Sequence, residues 1–307
     1  MRSLIVRITA ITFLGLSSCK SQKTSPTPVT SWSGLKENNR FVFDAKIAVN
    51  NNALKEISGI ASGRTNKELL YVHEDSFCPN KVYLLNTKGE YQGSLKLKGR
   101  KNWDWEDIAV GGGPEESKHY IYVGDIGDNF KLMNAAIVYR FEEPNLTNAS
   151  LPIKSKVYRP DKLRFQYPDG RHNAETLLLD PLTKDLYIVT KGKTATIYRA
   201  EFPQNSIKST KLEYIGSLPI SQATGGSISS DGKEIIIKDY YRIYYWKRLE
   251  GQSIKEALTA TPELLLYQRE MQGEAVGFNN DNSGYYTISE IESRKGLVPT
   301  LYFYKRK

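Results

Sequence analysis

From Phe41 onward, short alternating runs rich in Tyr, Val and Ile recur in a fixed order, broken by Gly, Asn and Asp. Each cycle opens on a small or acidic residue two positions before an apolar one. The pairs are Ser58 and Ile60, Glu106 and Ile108, Glu175 and Leu177, Gly226 and Ile228, and Glu274 and Val276. The apolar anchors are 48, 69, 51 and 48 residues apart. A second apolar strand follows each anchor, then a third ending in aromatic residues, then a fourth leading to the next cycle. Four strands in about 40–50 residues is the unit of a propeller blade. Period-two alternation, twenty Tyr and few helix-period segments argue for an all-β chain.

Five cycles predict a five-bladed β-propeller, with six blades as the alternative. The long second spacing holds the polar segment Asn145 to Lys156, which reads as an inserted loop rather than a further blade. The last cycle lacks a fourth strand, and Phe41 to Val49 is a strand without a cycle. Pairing it with Leu301 to Tyr304 closes the ring and removes an exposed edge.

The 307 residues accommodate one such domain, placed at 40–307. Residues 1–18 read differently: Arg2 and Arg7 precede a short apolar run, Ile8 to Leu16, and then Ser17-Ser18-Cys19. This resembles a bacterial lipoprotein signal, which implies cleavage before Cys19 and a lipid anchor on it. The apolar run is too short to span a membrane. Lys20 rather than Asp after the Cys favours the outer membrane, with the domain facing the periplasm. Residues 19–39 are rich in Ser, Thr and Pro and read as a flexible tether. The net charge of +9 is spread along the chain, and no basic block or zinc-finger spacing occurs, so nucleic acid is not an expected partner. Once Cys19 carries lipid, Cys78 is the only thiol left, which excludes a disulfide framework. The expectation is a monomer, tethered to a membrane, whose partner is a polar small molecule or an envelope protein.

In a blade the first strand leaves one face and the second returns to it. Starts of first strands and ends of second strands therefore share a face. That face collects Ser58, Glu106, Glu175, Gly226, Ser227 and Glu274. It also collects His73, Glu74, Asp75, Asp125, Asp128, Asn129, Lys191, Asp239 and Glu290. Entering loops bring Trp103, Asp104, Asp169, Arg171 and His172. Carboxylates repeated at one level of a closed ring would converge on its axis, and like charges raise one another's pKa unless a cation lies among them. Oxygen donors without thiolate or imidazole suit calcium and disfavour zinc or copper. The candidate ligands are Ser58, Glu106, Glu175 and Glu274, with Gly226 through its carbonyl or Ser227 through its hydroxyl. The alternative is a polar, water-filled tunnel. The remaining residues outline an acidic pocket edged by Trp103, although Asp125, Asp128 and Asn129 also suit Asx turns. In a hydrolase, Asp75 or Asp125 would orient water and Arg171 or Lys191 would hold a phosphoryl group.

The strings DWEDIA (Asp104 to Ala109), VGDIGDN (Val123 to Asn129) and MQGEAV (Met271 to Val276) resemble an uncharacterised group of secreted bacterial propeller proteins. The order Ser, Glu, Glu, small residue, Glu at the blade starts is similar to the apyrase family of calcium-activated nucleotidases. That resemblance implies five blades and one axial calcium held by Ser58, Glu106, Glu175 and Glu274, with Gly226-Ser227 where the family has a second Ser. The family's paired Asp before Arg-Thr-Gly is replaced here by Glu74-Asp75-Ser76-Phe77, and its nucleotide loop by Leu97 to Asn102. The sequence thus points to a calcium-binding propeller that presents a polar pocket. A calcium-dependent phosphoanhydride or phosphoester hydrolase, or a structural part of an envelope complex, are the alternatives.

Overall fold

The computed structural model describes residues 31–51, 53–291 and 299–307. The leader at 1–18, Cys19 with its lipid, and the tether as far as residue 30 lie outside the described residues. The rest is a five-bladed β-propeller. Its innermost strands are Ile57–Ser62, Trp105–Gly112, Ala174–Leu179, Ala223–Ile228 and Gly273–Phe278, one per blade. Each touches the next, and the fifth touches the first, so the ring is closed around a central channel.

The inner strands are buried along nearly their whole length because each is flanked by two neighbouring blades. Their apolar faces, with those of the second and third strands, form five clusters, one at each junction. Trp105, fully buried, packs with Tyr71 and Leu84 of blade one against Val123 and Tyr139 of its own blade. Phe165 and Tyr122 fill the next junction, Trp246 and Tyr187 the third, Tyr285 and Tyr245 the fourth, and Ile60 and Tyr286 the last. Large aromatic side chains suit this role because blades diverge as they leave the axis, and the wedge between them must be filled.

The ring closes between its ends. Phe41–Ala48 runs antiparallel to Thr300–Arg306 as the outer strand of blade five, with Phe41 opposite Arg306 and Ala48 opposite Thr300. Two sequence expectations change. The insertion at 145–156 is not wholly a loop: Ile153–Val157 pairs in parallel with Tyr91–Leu97 and covers the free edge of blade one. The folded part also begins before residue 40. Glu37–Asn38 pairs in parallel with Glu263–Leu265, and the Trp32 ring lies 5.6 Å from Tyr244 and 6.0 Å from Trp246. An apolar side chain that covers a blade edge is worth more buried than trailing in a linker.

One residue braces the ring from inside. Asp107 of blade two is fully buried. Its carboxylate accepts from Ile108 N (2.8 Å), from Leu177 N of blade three (2.9 Å) and from Gly226 N of blade four (3.3 Å). Burial pushes this carboxyl well above its usual range, against the pull of the three main-chain donors. Asp107→Ala would orphan two inter-blade N–H groups, each costing about 1–3 kcal/mol when buried, so a loss of roughly 2–6 kcal/mol is expected in urea unfolding. A loss below about 1 kcal/mol would remove Asp107 as the brace.

Candidate metal centre

Every inner strand carries a β-bulge at the same place. The ladder to the second strand slips between Ile57 and Gly59, Trp105 and Asp107, Ala174 and Thr176, Ala223 and Gly225, and Gly273 and Ala275. The extra residues are Ser58, Glu106, Glu175, Thr224 and Glu274. A bulge takes its residue out of the ladder and re-aims its side chain. One residue per blade is therefore set apart at a common level of the ring.

The fourth member is Thr224, not Gly226 or Ser227. Gly226 stands where the other blades have Ile60, Ile108, Leu177 and Val276, and Ile228 misplaced the alignment by two residues. A Cβ on Gly226 would come within 2.8 Å of Leu178 and 2.9 Å of Thr176, so glycine lets blades three and four close. Ser227 lies toward the opposite mouth of the channel, where its hydroxyl accepts from Phe278 N at 3.2 Å. The two hydroxyl members act alike. Ser58 Oγ donates to Glu106 O (2.7 Å) and Thr224 Oγ1 to Glu274 O (3.3 Å), each fixing the main chain of the next blade's glutamate.

Around the three bulged glutamates the mouth adds further carboxylates. Oxygens of Asp75, Asp104 and Glu106 lie within 4.8 Å of one another. A side chain at position 127 would collide with the carboxylates of Glu106 and Asp104, so Gly127 leaves them their space. Lys191 Nζ sits 2.5 Å from Glu175 Oε1 and donates to the Tyr240 hydroxyl at 2.8 Å, which in turn donates to Glu274 Oε1 at 2.9 Å. The second oxygen of Glu175, Oε2, is buried with no partner among the described residues.

Burial, then mutual repulsion, sets the protonation of this group. Glu106 is pushed well above its ordinary value by burial and then by Glu175, Asp75, Asp104 and Glu274. Burial raises Glu175 to about 8 against the pull of Lys191, with Glu274 adding to the rise. Asp75 is raised to about 7 and Glu290 to about 9, again by burial first, with Glu274 the largest neighbouring charge on each. Asp104 rises by burial and by Asp128. A cation placed among these oxygens would relieve burial and repulsion together. The donors are all hard oxygens, one of them unpartnered and buried, so the group can hold a divalent ion.

Several expected site residues are spent elsewhere. Glu74, Asp125 and Asp239 end the second strands of blades one, two and four, and each takes a tyrosine hydroxyl from the third strand. The donors are Tyr83 (2.8 Å), Tyr139 (3.0 Å) and Tyr244 (2.9 Å). Their other oxygens accept main-chain N–H groups: Lys55 for Glu74, Asp104 for Asp125, and Tyr241 and Arg242 for Asp239. Each Asp125 oxygen thus already accepts one hydrogen bond within the blade. His73 is fully buried, edge-on to Trp105 at 5.8 Å, and burial lowers its pKa to about 4, so it packs as a neutral ring within the blade junction. Arg171 is exposed and turned outward, donating to Lys131 O (3.2 Å) and Asn134 Oδ1 (2.5 Å) rather than toward the mouth.

Trp103, Asp128, Asn129 and His172 border a pocket beside the carboxylates, with Asp169 behind His172. Asp128 caps its loop by accepting from Leu132 N (2.7 Å) and Met133 N (2.8 Å), and Asn129 Oδ1 accepts from Asn173 at 3.0 Å. Asp169 pairs with His172 Nε2 at 3.0 Å and accepts from the Tyr198 hydroxyl. Trp103 is half exposed, edge-on to Phe77. Sequence reading missed Thr224 and gave no role to Tyr240, Gly127 and Asp107. Tyr240 was legible in principle, since it follows the second strand of blade four directly.

No family model matches the chain, and no curated protein matches it. Among solved structures, a gluconolactonase from Xanthomonas campestris is similar at 11% identity and a TM-score of 0.46, over 82% of this chain and 72% of that one.

The raised carboxyls fix a pH dependence. A group that holds its proton more tightly folded than unfolded contributes stability that is complete below its unfolded pKa and is lost as pH rises through the folded one. For Asp75, Glu175 and Glu290 that window opens near the ordinary carboxyl value, about 4, and closes at about 7 to about 9. In chelator, the melting temperature should fall across this range. A flat or rising profile would mean that the mouth is already neutralised by groups within the chain.

Proposed function

We propose that the protein binds one divalent cation, calcium, at this mouth and presents it to an oxygen-bearing ligand. The observation that carries the reading is Glu175, nine-tenths buried with one oxygen unpartnered, in a group of carboxylates whose bonded cation among the described residues is Lys191 alone. Glu106, Glu175 and Glu274 would hold the ion from the axis, and Asp75 and Asp104 from the rim. Calcium accepts six to eight oxygens in flexible geometry, which suits donors drawn from separate blades better than the strict octahedron of magnesium. When bound, the ion would neutralise the mouth and polarise an oxygen of whatever ligand reaches it. In this reading the lipid on Cys19 would hold the propeller at the periplasmic side of the outer membrane.

Binding is favoured over phosphoryl hydrolysis because the groups a hydrolase would need are committed elsewhere. Arg171 is clasped to a loop, Asp125 is bonded to Tyr139 and to the main chain, and Lys191 is paired with Glu175. Asp75, raised to about 7, and Asp125, raised to about 6, keep carboxyls suited to taking a proton near neutral pH, so hydrolysis is the second reading.

Calorimetric titration of chelator-stripped protein should show a single calcium site, with the melting temperature raised by several degrees at saturation. Glu106→Gln should weaken binding by about tenfold or more. No heat of binding and an unchanged melting temperature would end this reading.

A further inference from the structure

Next to the carboxylates lies a pocket of about 280 Å³. It shares Asp104 with the acidic group, and its other side is apolar. Phe77, Trp103, Phe130, Leu132 and Met133 border it, and all five remain between 44 and 85% exposed. Single exposed apolar residues are ordinary, but five large ones on one rim mark a binding surface.

The loop carrying three of these residues is built to hold them in water. Asp128 accepts from Leu132 N and Met133 N, Arg171 clasps Lys131 O and Asn134, and Asn173 Oδ1 accepts from Asp128 N at 2.6 Å. These polar bonds, part-buried at Asp128 and exposed at Arg171, hold Phe130, Leu132 and Met133 in a position that apolar packing alone would not select. A preformed apolar wall lowers the ordering cost of binding.

We propose, resting on the cation reading above, that this pocket takes the apolar body of a small amphiphilic anion whose carboxylate or phosphate head is bound through the ion. Charge and shape jointly select that class. The wall at Asp104 repels an anion while the mouth is bare and attracts one once a divalent cation stands there. The volume lies at the small end for ligand pockets, enough for one or two rings or a short chain and too small for a polymer. A sugar or free nucleotide phosphate would leave the rim of Phe77, Trp103 and Leu132 uncovered. An uncharged hydrocarbon would leave the ion's open side unused.

The test uses 1-naphthyl phosphate as probe, followed by calorimetry and by the fluorescence of half-exposed Trp103, with calcium binding titrated separately. With calcium in excess the probe should bind. Its affinity should fall at least tenfold in chelator, and 1-naphthol and inorganic phosphate should each bind at least tenfold more weakly than the probe. Phe130→Ser with Leu132→Ser, both at exposed positions, should weaken the probe about tenfold and leave the calcium titration unchanged. Three outcomes overturn the pocket while sparing the cation reading: no probe binding in calcium, equal binding in chelator, or no effect of the double variant. Calcium-dependent adsorption to phosphatidylglycerol vesicles without binding of the soluble probe would also overturn it, in favour of a membrane-docking rim. Failure of calcium itself to bind would remove both readings and would be seen in the calcium titration alone.

Discussion

One β-bulge per blade decides what this propeller can do. An inner strand of regular pleat would put alternate residues into the two flanking junctions, and in a closed ring both are apolar. The bulge at Ser58, Glu106, Glu175, Thr224 and Glu274 takes one residue out of that alternation at the same height in every blade. Polar side chains are thereby admitted to a place that packing would otherwise close to them. Their convergence is then a consequence of ring geometry, and needs no further instruction from the sequence.

Convergence of this kind is costly, and the fold shows how the cost is contained. Burying a carboxylate without a partner is expensive, and burying several together is more so. Lys191 and Tyr240 form a chain that links Glu175 to Glu274, and the hydroxyls of Ser58 and Thr224 hold the backbones of the neighbouring glutamates in place. Asp107 ties three blades together just inside this level. The scaffold is stiff where the charges meet. Even so, among the described residues the internal cations and donors fall short of the negative groups, and Glu175 Oε2 is left unpartnered. That shortfall links the architecture to the cation reading: the ring holds the oxygens in place, and an ion would complete them.

Much of this was legible in the chain, for reasons that also explain the gaps. Strand periodicity and the recurrence of the anchors reported the blade count, because each blade must bury the same faces. The unpaired strand at Phe41–Ala48 announced the closure. Four of the five bulged residues were found by aligning on the apolar residue two places on. The fifth was lost because tight contact between blades three and four requires Gly226 where the others have an aliphatic residue. The short parallel strands at Glu37–Asn38 and Ile153–Val157 pair with distant partners and carry no periodic signal of their own. A carboxylate at a strand end looks the same in sequence whether it meets an ion or a tyrosine. Glu74, Asp125 and Asp239 were therefore assigned to the site, although Tyr83, Tyr139 and Tyr244 wait on the adjacent strands.

The most direct test of the shared ion is crystallographic. Crystals grown with calcium and measured at long wavelength should give one anomalous difference peak on the propeller axis, with oxygens of Glu106, Glu175 and Glu274 at about 2.3–2.6 Å. A clean map at that position, with the glutamates instead bonded to one another through shared protons or to ordered water, would contradict it.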